Sequence, residues 1–331
     1  MVRSPAETQL TRRSLTSGAA AGLIAASTMN ASAQQNSPAK GPAVWLDLDQ
    51  KQLDDAYDQI KYAPNRPQVV GRYRTNSDLM RARIGAPKRL RYGDAPIEGA
   101  DLYAAKQPNA PINIFIHGGA WRGQLAEYYG FSAEIFVDAG AHFIAIDFNN
   151  VGELNGDLLP MADQCRRAIA WIYKNAASFG GDPNRIYLSG HSSGAHLGGV
   201  VLVTDWEKDF GLPKDAIKGA LLCSGMYDLK PVRMSARSNY VKFTDEMEHA
   251  LSAQRFLERL NSPVIVAYGS FETPEFQRQS RDFADAVQKA GKPAELLRGE
   301  GYNHFEIMET LASPYGVLGH AALRQMKLRS A

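Results

Sequence analysis

A serine between small residues is the first feature of this sequence that could do chemistry. Residues 190–194 read GHSSG and fit the pattern G-x-S-x-G, with Ser192 at the centre. The strand-like run RIYL precedes the pattern, and a small-residue run, GAHLGG, follows it. A strand, a sharp turn and a helix in that order expose the central hydroxyl and require small neighbours. The pattern therefore predicts Ser192 as a nucleophile and Ser193 as the donor of a backbone N–H to the oxyanion that forms after attack.

A serine hydroxyl needs a base to accept its proton and a carboxylate to orient that base. In a strand–turn–helix hydrolase the carboxylate and then the histidine follow the serine in the chain, each after a late strand. His304 follows the strand-like run AELLR and is the predicted base. The loop after the strand-like run PVIVAYG contains Glu272 and Glu275 but no aspartate. We favour Glu272, because Glu275 follows Pro274 and has a separate explanation as a charge in the first turn of a helix.

A second glycine-rich segment, HGGAW at residues 117–121, follows the strand-like run INIFI. Glycine turns bring backbone amides close to a ligand. Gly119 is the favoured oxyanion donor, with Gly118 or Ala120 beside it and Ser193 completing the oxyanion hole. The N-terminal segment and five further side chains are candidate walls of a substrate pocket, although ordinary core packing explains each of the five equally well. These side chains are Trp121, Tyr128, Tyr129, Met226 and Tyr227.

The histidines close to these motifs are predicted to be structural, with a place in the pocket wall as the alternative for His191. His191 lies in the serine turn, His196 in the helix after it, and His117 beside the second glycine turn. No cluster of histidine, cysteine and aspartate has the spacing of a metal site, so we expect neither a metal nor a cofactor. Cys165 lies in a helical pattern and Cys223 in a strand-like run, which favours two buried free thiols over a disulfide.

The elements that must position these residues alternate along the chain from residue 90 onward. Apolar, β-branched runs of strand length are separated by amphipathic helical patterns. Such alternation predicts a mostly parallel central sheet with helices on both faces. We therefore expect one catalytic domain over residues 90–331, preceded by a linker and helical extension over residues 34–89. Within that extension LDQKQLDDAYDQI predicts a helix, and residues 62–91 are expected to be irregular with short helical turns.

The first 33 residues have the features of a secretory signal. Arg12 and Arg13 form a twin-arginine pair, and a weakly apolar run of alanine and glycine that is too short to span a membrane follows them. Ala31-Ser32-Ala33 fits the small-x-small rule for cleavage. The segment predicts export by the twin-arginine route to the periplasm, without stable membrane insertion.

The charge of the chain argues against polyanionic partners. The whole chain has a net charge of +2, and residues 1–33 carry that same +2, so the remainder is neutral. A neutral domain gives no support for binding nucleic acid or an anionic membrane surface. We expect a small-molecule substrate, and the sequence does not specify the oligomeric state.

Several stretches together resemble the α/β-hydrolase superfamily. They are HGGAWRG, SFGGDPNRIYLSGHSSGAHLGG, SGMYDLKPV, EFQRQSRDFADA and YNHFEIME. The chain looks most like the branch that contains kynurenine formamidase (arylformamidase) and the hormone-sensitive-lipase-like esterases. This resemblance implies an α/β-hydrolase fold with Ser192 as nucleophile, His304 as base and Glu272 as acid, where the family more often has aspartate. It also implies an oxyanion hole from Gly118, Gly119 and Ser193.

The leading hypothesis is a serine hydrolase of carboxylic esters, extending to aryl esters, amides or carbamates. The second is an arylformamidase acting on N-formyl aromatic amines such as N-formylkynurenine. A third, from another class, is a protein that uses the same fold for binding without catalysis. The first two share one machinery, so only their substrates separate them.

Overall fold

An eight-stranded sheet forms the frame of the protein. The structure is a computed structural model and describes residues 40–329. The predicted signal peptide, residues 1–33, and the linker as far as residue 39 lie outside the described residues. The strands are β1 (Lys88–Arg91), β2 (Gly99–Tyr103), β3 (Ala110–Ile116), β4 (His142–Ile146), β5 (Gly181–His191), β6 (Ala220–Cys223), β7 (Val264–Gly269) and β8 (Ala294–Gly299). Their spatial order is β1-β2-β4-β3-β5-β6-β7-β8. β2 is antiparallel to both of its neighbours, β1 and β4. The other six strands, β3 to β8, are all parallel to one another, which confirms the predicted mostly parallel sheet.

Helices connect the strands and cover both faces of the sheet. Over residues 40–329 the α-helices are α1 (Gln50–Ala56), α2 (Arg66–Ile84), α3 (Ala133–Asp138), α4 (Leu159–Asn175), α5 (Ser193–Leu202), α6 (Trp206–Phe210), α7 (Lys230–Met234), α8 (Asp245–Ala250), α9 (Pro274–Lys289), α10 (Glu306–Glu309) and α11 (Val317–Gln325). Short 3₁₀ helices lie at Gln59–Tyr62, Ala126–Ser132, Ala176–Phe179, Ala236–Asn239, Ala253–Arg255, Leu257–Arg259 and Thr310–Ala312. No helix within these residues has both the length and the apolar character needed to cross a bilayer.

The sheet separates two hydrophobic cores. Ile144 and Ile146 of β4 point into the core under α4, α5 and α9, and the alternating residues Phe143 and Ala145 point into the core under α2, α3 and α11. Because successive strand residues face opposite sides, a strand buried on both faces reads as a nearly continuous apolar run. Cys165 belongs to the first core and Cys223 to the second, and both thiols are free and buried, as predicted.

Helix α2 corrects the prediction for residues 62–91. The segment forms one continuous helix of 19 residues instead of short helical turns. Its buried side chains, Val69, Tyr73, Ser77 and Met80, form a narrow stripe that includes a serine. A stripe so narrow gives little amphipathic signal in the sequence, and packing against the second core stabilises the helix instead.

The residues with predicted chemistry follow β3, β5, β7 and β8. These strands are parallel, so their carboxyl ends lie at one edge of the sheet, where ligand sites of open α/β sheets form. The topology therefore brings together segments that are more than a hundred residues apart in the chain.

Gly194 permits the close contact between the start of α5 and the end of β3. A Cβ atom there would overlap the carbonyl oxygens of Ile116 and His117. Gly194→Ala is therefore expected to lower the free energy of unfolding in urea by roughly 1–3 kcal/mol, as overpacking does. Gly71→Ala is the matched control, because Gly71 lies within α2 and a Cβ there meets no atom within 4 Å. The control should be neutral or stabilising by up to about 1 kcal/mol, and equal stabilities of the two variants would contradict the packing argument.

Candidate active site

Ser192 lies in a strained turn between β5 and α5. Its φ of 57° and ψ of −125° place a non-glycine residue in a sparsely populated region, which costs roughly 1–3 kcal/mol. A Cβ atom at Gly190 would lie 2.7 Å from the carbonyl oxygen of Gly194, so the turn tolerates only glycine there. The Ser192 N–H donates to the Cys223 carbonyl at 2.9 Å, which ties the turn to the next strand. This is the geometry that the G-x-S-x-G pattern predicts.

A chain of two hydrogen bonds links Ser192 to a buried carboxylate. The distance from His304 Nε2 to Ser192 Oγ is 2.9 Å, and that from His304 Nδ1 to Glu272 Oε2 is 2.7 Å. An ionised carboxylate only accepts hydrogen bonds, so Nδ1 of the neutral ring carries the proton and Nε2 accepts from the serine hydroxyl. The ring is therefore positioned and in the correct tautomer to remove the serine proton.

The Glu272 carboxylate is only 2% exposed and accepts from four donors. Its Oε1 accepts from Ser224 Oγ at 2.6 Å and from the Gly269 N–H at 2.6 Å. Its Oε2 accepts from Gln59 Nε2 at 3.1 Å as well as from His304. A buried charge is costly unless hydrogen bonds replace its hydration. These donors supply that replacement, since no lysine or arginine within residues 40–329 forms an ion pair with Glu272.

Glu275, the other carboxylate that the sequence offered, is engaged elsewhere. It lies in the first turn of α9, and both of its oxygens are 2.7 Å from Arg278 nitrogens. It also accepts from the Tyr57 hydroxyl at 3.0 Å. The structure brings Glu272, and not Glu275, to His304.

The loop after β3 holds an unusual backbone conformation beside Ser192. Gly119, Ala120 and Trp121 have φ values of 114°, 55° and 62°. The Trp121 N–H donates to Ser193 Oγ at 3.2 Å, and His117 Nδ1 lies 2.9 Å from the Gly118 carbonyl. The loop is thereby fixed to both the serine turn and the end of β3, and His117 has the structural role that the sequence predicted.

The amides of this loop are candidate oxyanion donors. Burial raises the pKa of Tyr129, and a hydrogen bond with the Gly118 backbone partly offsets that rise. The Gly119 and Ala120 amides donate to no other residue in the described part of the chain. Gly118, Gly119 and Ser193 therefore stay the predicted oxyanion donors, with Ala120 as the alternative to Gly118.

Two neighbouring histidines are neutral structural residues. His191 Nε2 lies 2.8 Å from the backbone carbonyl of His304 and donates to it, which fixes the segment that carries the base. Burial, together with the charge of His304, lowers the pKa of His191 to about 3. His196 accepts from Trp121 Nε1 at 3.2 Å and donates to the Leu251 carbonyl at 3.0 Å. Neither imidazole contacts the Ser192 hydroxyl.

A cavity of about 840 Å³ opens above Ser192 and His304. Four segments contribute most of its walls: residues 54–61 of the N-terminal extension, residues 66–73 of α2, the loop after β3 except Trp121, and residues 236–240 after α7. The expectation that the N-terminal segment contributes a wall is confirmed. Of the five predicted pocket side chains, only Tyr129 lines this cavity.

The other four predicted pocket residues pack elsewhere. Trp121 is 2% exposed and donates to His196, and Met226 is fully buried in the first core. Tyr227 is also fully buried, with its ring stacked on Phe283 at 4.0 Å. Tyr128 is half-buried beneath Arg74, against the second core. The prediction was wrong for these four because an apolar side chain near the end of a strand suits the core as well as a pocket.

Two residues that support Glu272 escaped the sequence analysis. Gln59 comes from the N-terminal extension, 213 residues away, and no local pattern connects it to the site. Ser224 directly follows β6 and has a φ of 59°. A Ser-Gly pair at the end of a parallel strand is the one signal that could have indicated Ser224. Among residues 40–329, no group of three or more histidine, cysteine, aspartate or glutamate side chains is placed to hold a metal ion.

Comparison with known proteins identifies relatives of this chain. The BD-FAE family model matches residues 100–286. Kynurenine formamidase of Danio rerio is 30% identical over 303 residues, covering 85% of this chain and 98% of the relative. The isoprenylcysteine α-carbonyl methylesterase ICME of Arabidopsis thaliana is 26% identical over 242 residues, covering 65% and 56%. The solved structure of EstE1, a thermostable carboxylesterase cloned from a metagenomic library, superposes with a TM-score of 0.62 at 17% identity, covering 80% and 97%.

His196 predicts a dependence of stability on pH. Burial lowers its pKa from 6.5 to about 4 in the folded protein, so the unfolded chain binds a proton near pH 6.5 that the folded chain does not. The stability that neutral His196 contributes is present above pH 6.5 and is lost as the pH falls towards 4, by about 2 kcal/mol between pH 7 and pH 5.

In His196→Gln the side-chain amide can still accept from Trp121 and donate to Leu251. The free energy of unfolding in urea should be measured at pH 7, 6 and 5. For the variant it should depend on pH less steeply than for the wild type, by an amount that corresponds to close to one bound proton. An unchanged slope would show that His196 is not the titrating group.

Proposed function

We propose that this chain, which belongs to the BD-FAE family of the α/β-hydrolase superfamily, hydrolyses carboxylic esters through an acyl-enzyme on Ser192. The observation that carries the proposal is the hydrogen-bonded series from Ser192 through His304 to Glu272, at the base of a cavity. The similarity to esterases and to a formamidase supports the same class of acyl transfer.

In the proposed reaction Ser192 Oγ attacks the ester carbonyl carbon while His304 Nε2 takes the hydroxyl proton. Glu272 stabilises the imidazolium that forms. The tetrahedral intermediate collapses, the bond to the alcohol breaks, and His304 donates its proton to the departing oxygen. Water then attacks the acyl-enzyme with His304 again as base, which releases the carboxylic acid and restores Ser192.

The negative charge on the carbonyl oxygen is proposed to bind the amides of Gly119 and Ser193, together with that of Gly118 or Ala120. Ser193 is the first residue of α5, so its amide lies at the positive end of the helix dipole. Removing one such donor costs roughly 3–4 kcal/mol of transition-state stabilisation in related sites. The fixed backbone of residues 117–121 means that these donors need no rearrangement during the reaction.

A second candidate is hydrolysis of N-formyl aromatic amines. The specific observation in its favour is the similarity to kynurenine formamidase of Danio rerio over 98% of that protein. The same residues would serve, with His304 protonating an amine instead of an alcohol. We place the ester first because an alcohol leaves a tetrahedral intermediate more readily than an amine.

Glu272 and Glu275 offer a matched test of the mechanism, because both are buried carboxylates and they lie three residues apart in the chain. Glu272→Gln should lower kcat for 4-nitrophenyl acetate by on the order of 10³-fold, since the imidazolium loses its stabilising charge. Glu275→Gln should lower it by less than about tenfold, since Glu275 contacts Tyr57 and Arg278 instead. Circular dichroism of both variants controls for folding, and the reverse order of effects would reassign the acid.

The two candidate substrates can be separated directly. We expect kcat/KM for 4-nitrophenyl butyrate to exceed that for N-formylkynurenine, with both activities lost in Ser192→Ala. Much faster turnover of the formamide would select the second candidate. Wild-type protein that is folded yet fails to react with a fluorophosphonate probe would exclude both, and would leave a binding protein.

A further inference from the structure

Arg237 is a buried charge without a counter-ion. Its side chain is 8% exposed, and it forms no ion pair with any carboxylate in the described part of the chain. Nη1 donates to the Tyr240 hydroxyl at 2.8 Å, and Nη2 donates to the Tyr57 carbonyl at 3.1 Å. Nε is buried with no hydrogen-bond partner among those residues. A buried guanidinium supported only by neutral acceptors is costly, and burial of this kind is rare unless a charge partner is present.

This guanidinium lines the same cavity as Ser192. Its central carbon lies 5.4 Å from the ring centre of Trp121 and 5.8 Å from that of Phe276. The Phe276 ring is in turn 5.1 Å from the His304 ring. The unpaired charge is therefore one aromatic ring away from the proposed base.

The acidic residues of the cavity form no ion pair with Arg237, because each of them is held by other contacts. Asp54 accepts from Gln50 and from the Ala236 N–H. Asp55 pairs with two lysines, and Asp58 caps the short helix that follows it.

Two more arginines on this cavity also lack a carboxylate partner among residues 40–329. Arg66 lies over the Phe305 ring at 5.5 Å, and Arg122 lies over the Tyr240 ring at 4.3 Å. Excess positive charge in a cleft attracts an anionic ligand. The lining carries four cations, Lys61, Arg66, Arg122 and Arg237, against three aspartates, Asp54, Asp55 and Asp58. One positive charge is therefore in excess, and Arg237 is the most buried of the four cations.

We infer that Arg237 binds a carboxylate of the substrate, so that the site hydrolyses esters or amides whose acid or leaving part carries a negative charge. This inference rests on the proposed function of the same site. Arginine suits the role because its planar guanidinium presents several N–H donors to a carboxylate at once. The aromatic rings beside it exclude water, which strengthens the ion pair in the bound state.

A purely structural role is the alternative, because Arg237 also holds the Tyr57 carbonyl and hence the wall formed by the N-terminal segment. The test therefore compares kcat/KM for a charged substrate with kcat/KM for its neutral counterpart. A general loss of activity through damage to the fold affects both values and cancels in their ratio. The acid side is probed with mono-4-nitrophenyl adipate against 4-nitrophenyl hexanoate, and the leaving-group side with 4-acetoxyphenylacetate against its neutral amide.

Wild-type protein should prefer the charged member of at least one pair in kcat/KM. Arg237→Gln should lower that charged-to-neutral ratio by about 10- to 100-fold, mainly through KM, as expected for the loss of a hydrogen-bonded charge contact. Arg237→Lys should restore part of the preference. Arg233→Gln is the matched control, because Arg233 lies in the preceding helix with its charge paired to Asp245 and Glu248, and it should leave the ratio unchanged.

Binding without catalysis separates failure of this inference from failure of the proposed function. Titration of Ser192→Ala protein with adipate or with 4-hydroxyphenylacetate should show affinity that Arg237→Gln removes. Hydrolysis that depends on Ser192 but shows no charge preference in either pair, with no anion binding, would overturn the role of Arg237 and leave the esterase proposal standing. Anion binding that depends on Arg237, without hydrolysis of any ester, would support the role of Arg237 and reject the esterase.

Discussion

The rest of the site depends on keeping one buried carboxylate ionised. Glu272 is almost completely enclosed, and its charge is balanced by hydrogen bonds alone. The donors are Gln59 in the N-terminal extension, Ser224 after β6, Gly269 at the end of β7 and His304 after β8. Because a buried charge with a missing donor is expensive, these four segments must meet before the carboxylate can be buried. The need to hydrogen-bond the buried Glu272 carboxylate therefore fixes the mutual positions of the strand ends at this edge of the sheet.

The strained turns at this edge are stabilised by the same neighbours. Ser192 and Ser224 both have positive φ values, and each donates its N–H to the strand beside it: Ser192 to Cys223 and Ser224 to Ala267. The loop that carries Ala120 and Trp121 is tied to the serine turn through Ser193 Oγ. Strain of this kind persists only where the surrounding structure over-determines it. Parallel strand pairing supplies that constraint, so each turn presents its functional group without moving.

The sequence allowed prediction of the features that have a local signal. The alternation of apolar runs and amphipathic helices predicted the sheet, and Ser192, His304 and Glu272 each follow a strand at a recognisable turn. The pocket walls have no such signal, because Trp121 and Met226 are the same residue types whether they pack a core or line a cavity. Helix α2 was missed because its buried stripe is narrow. Gln59 and Arg237 act through partners that only the folded chain brings near them, so no periodicity or spacing could have identified them.

The N-terminal segment joins the two parts of the proposed chemistry. Tyr57 accepts from Arg237 through its carbonyl oxygen and donates to Glu275 through its hydroxyl, and Gln59, two residues further on, donates to Glu272. The residue proposed to bind the substrate charge and the carboxylate that orients the base are thus held by one short piece of backbone. A carboxylate bound at Arg237 would balance the most buried guanidinium among the described residues that line this cavity. In the proposed reaction the extension therefore holds both the residue that binds the substrate charge and the carboxylate that orients the base, through two separate hydrogen bonds.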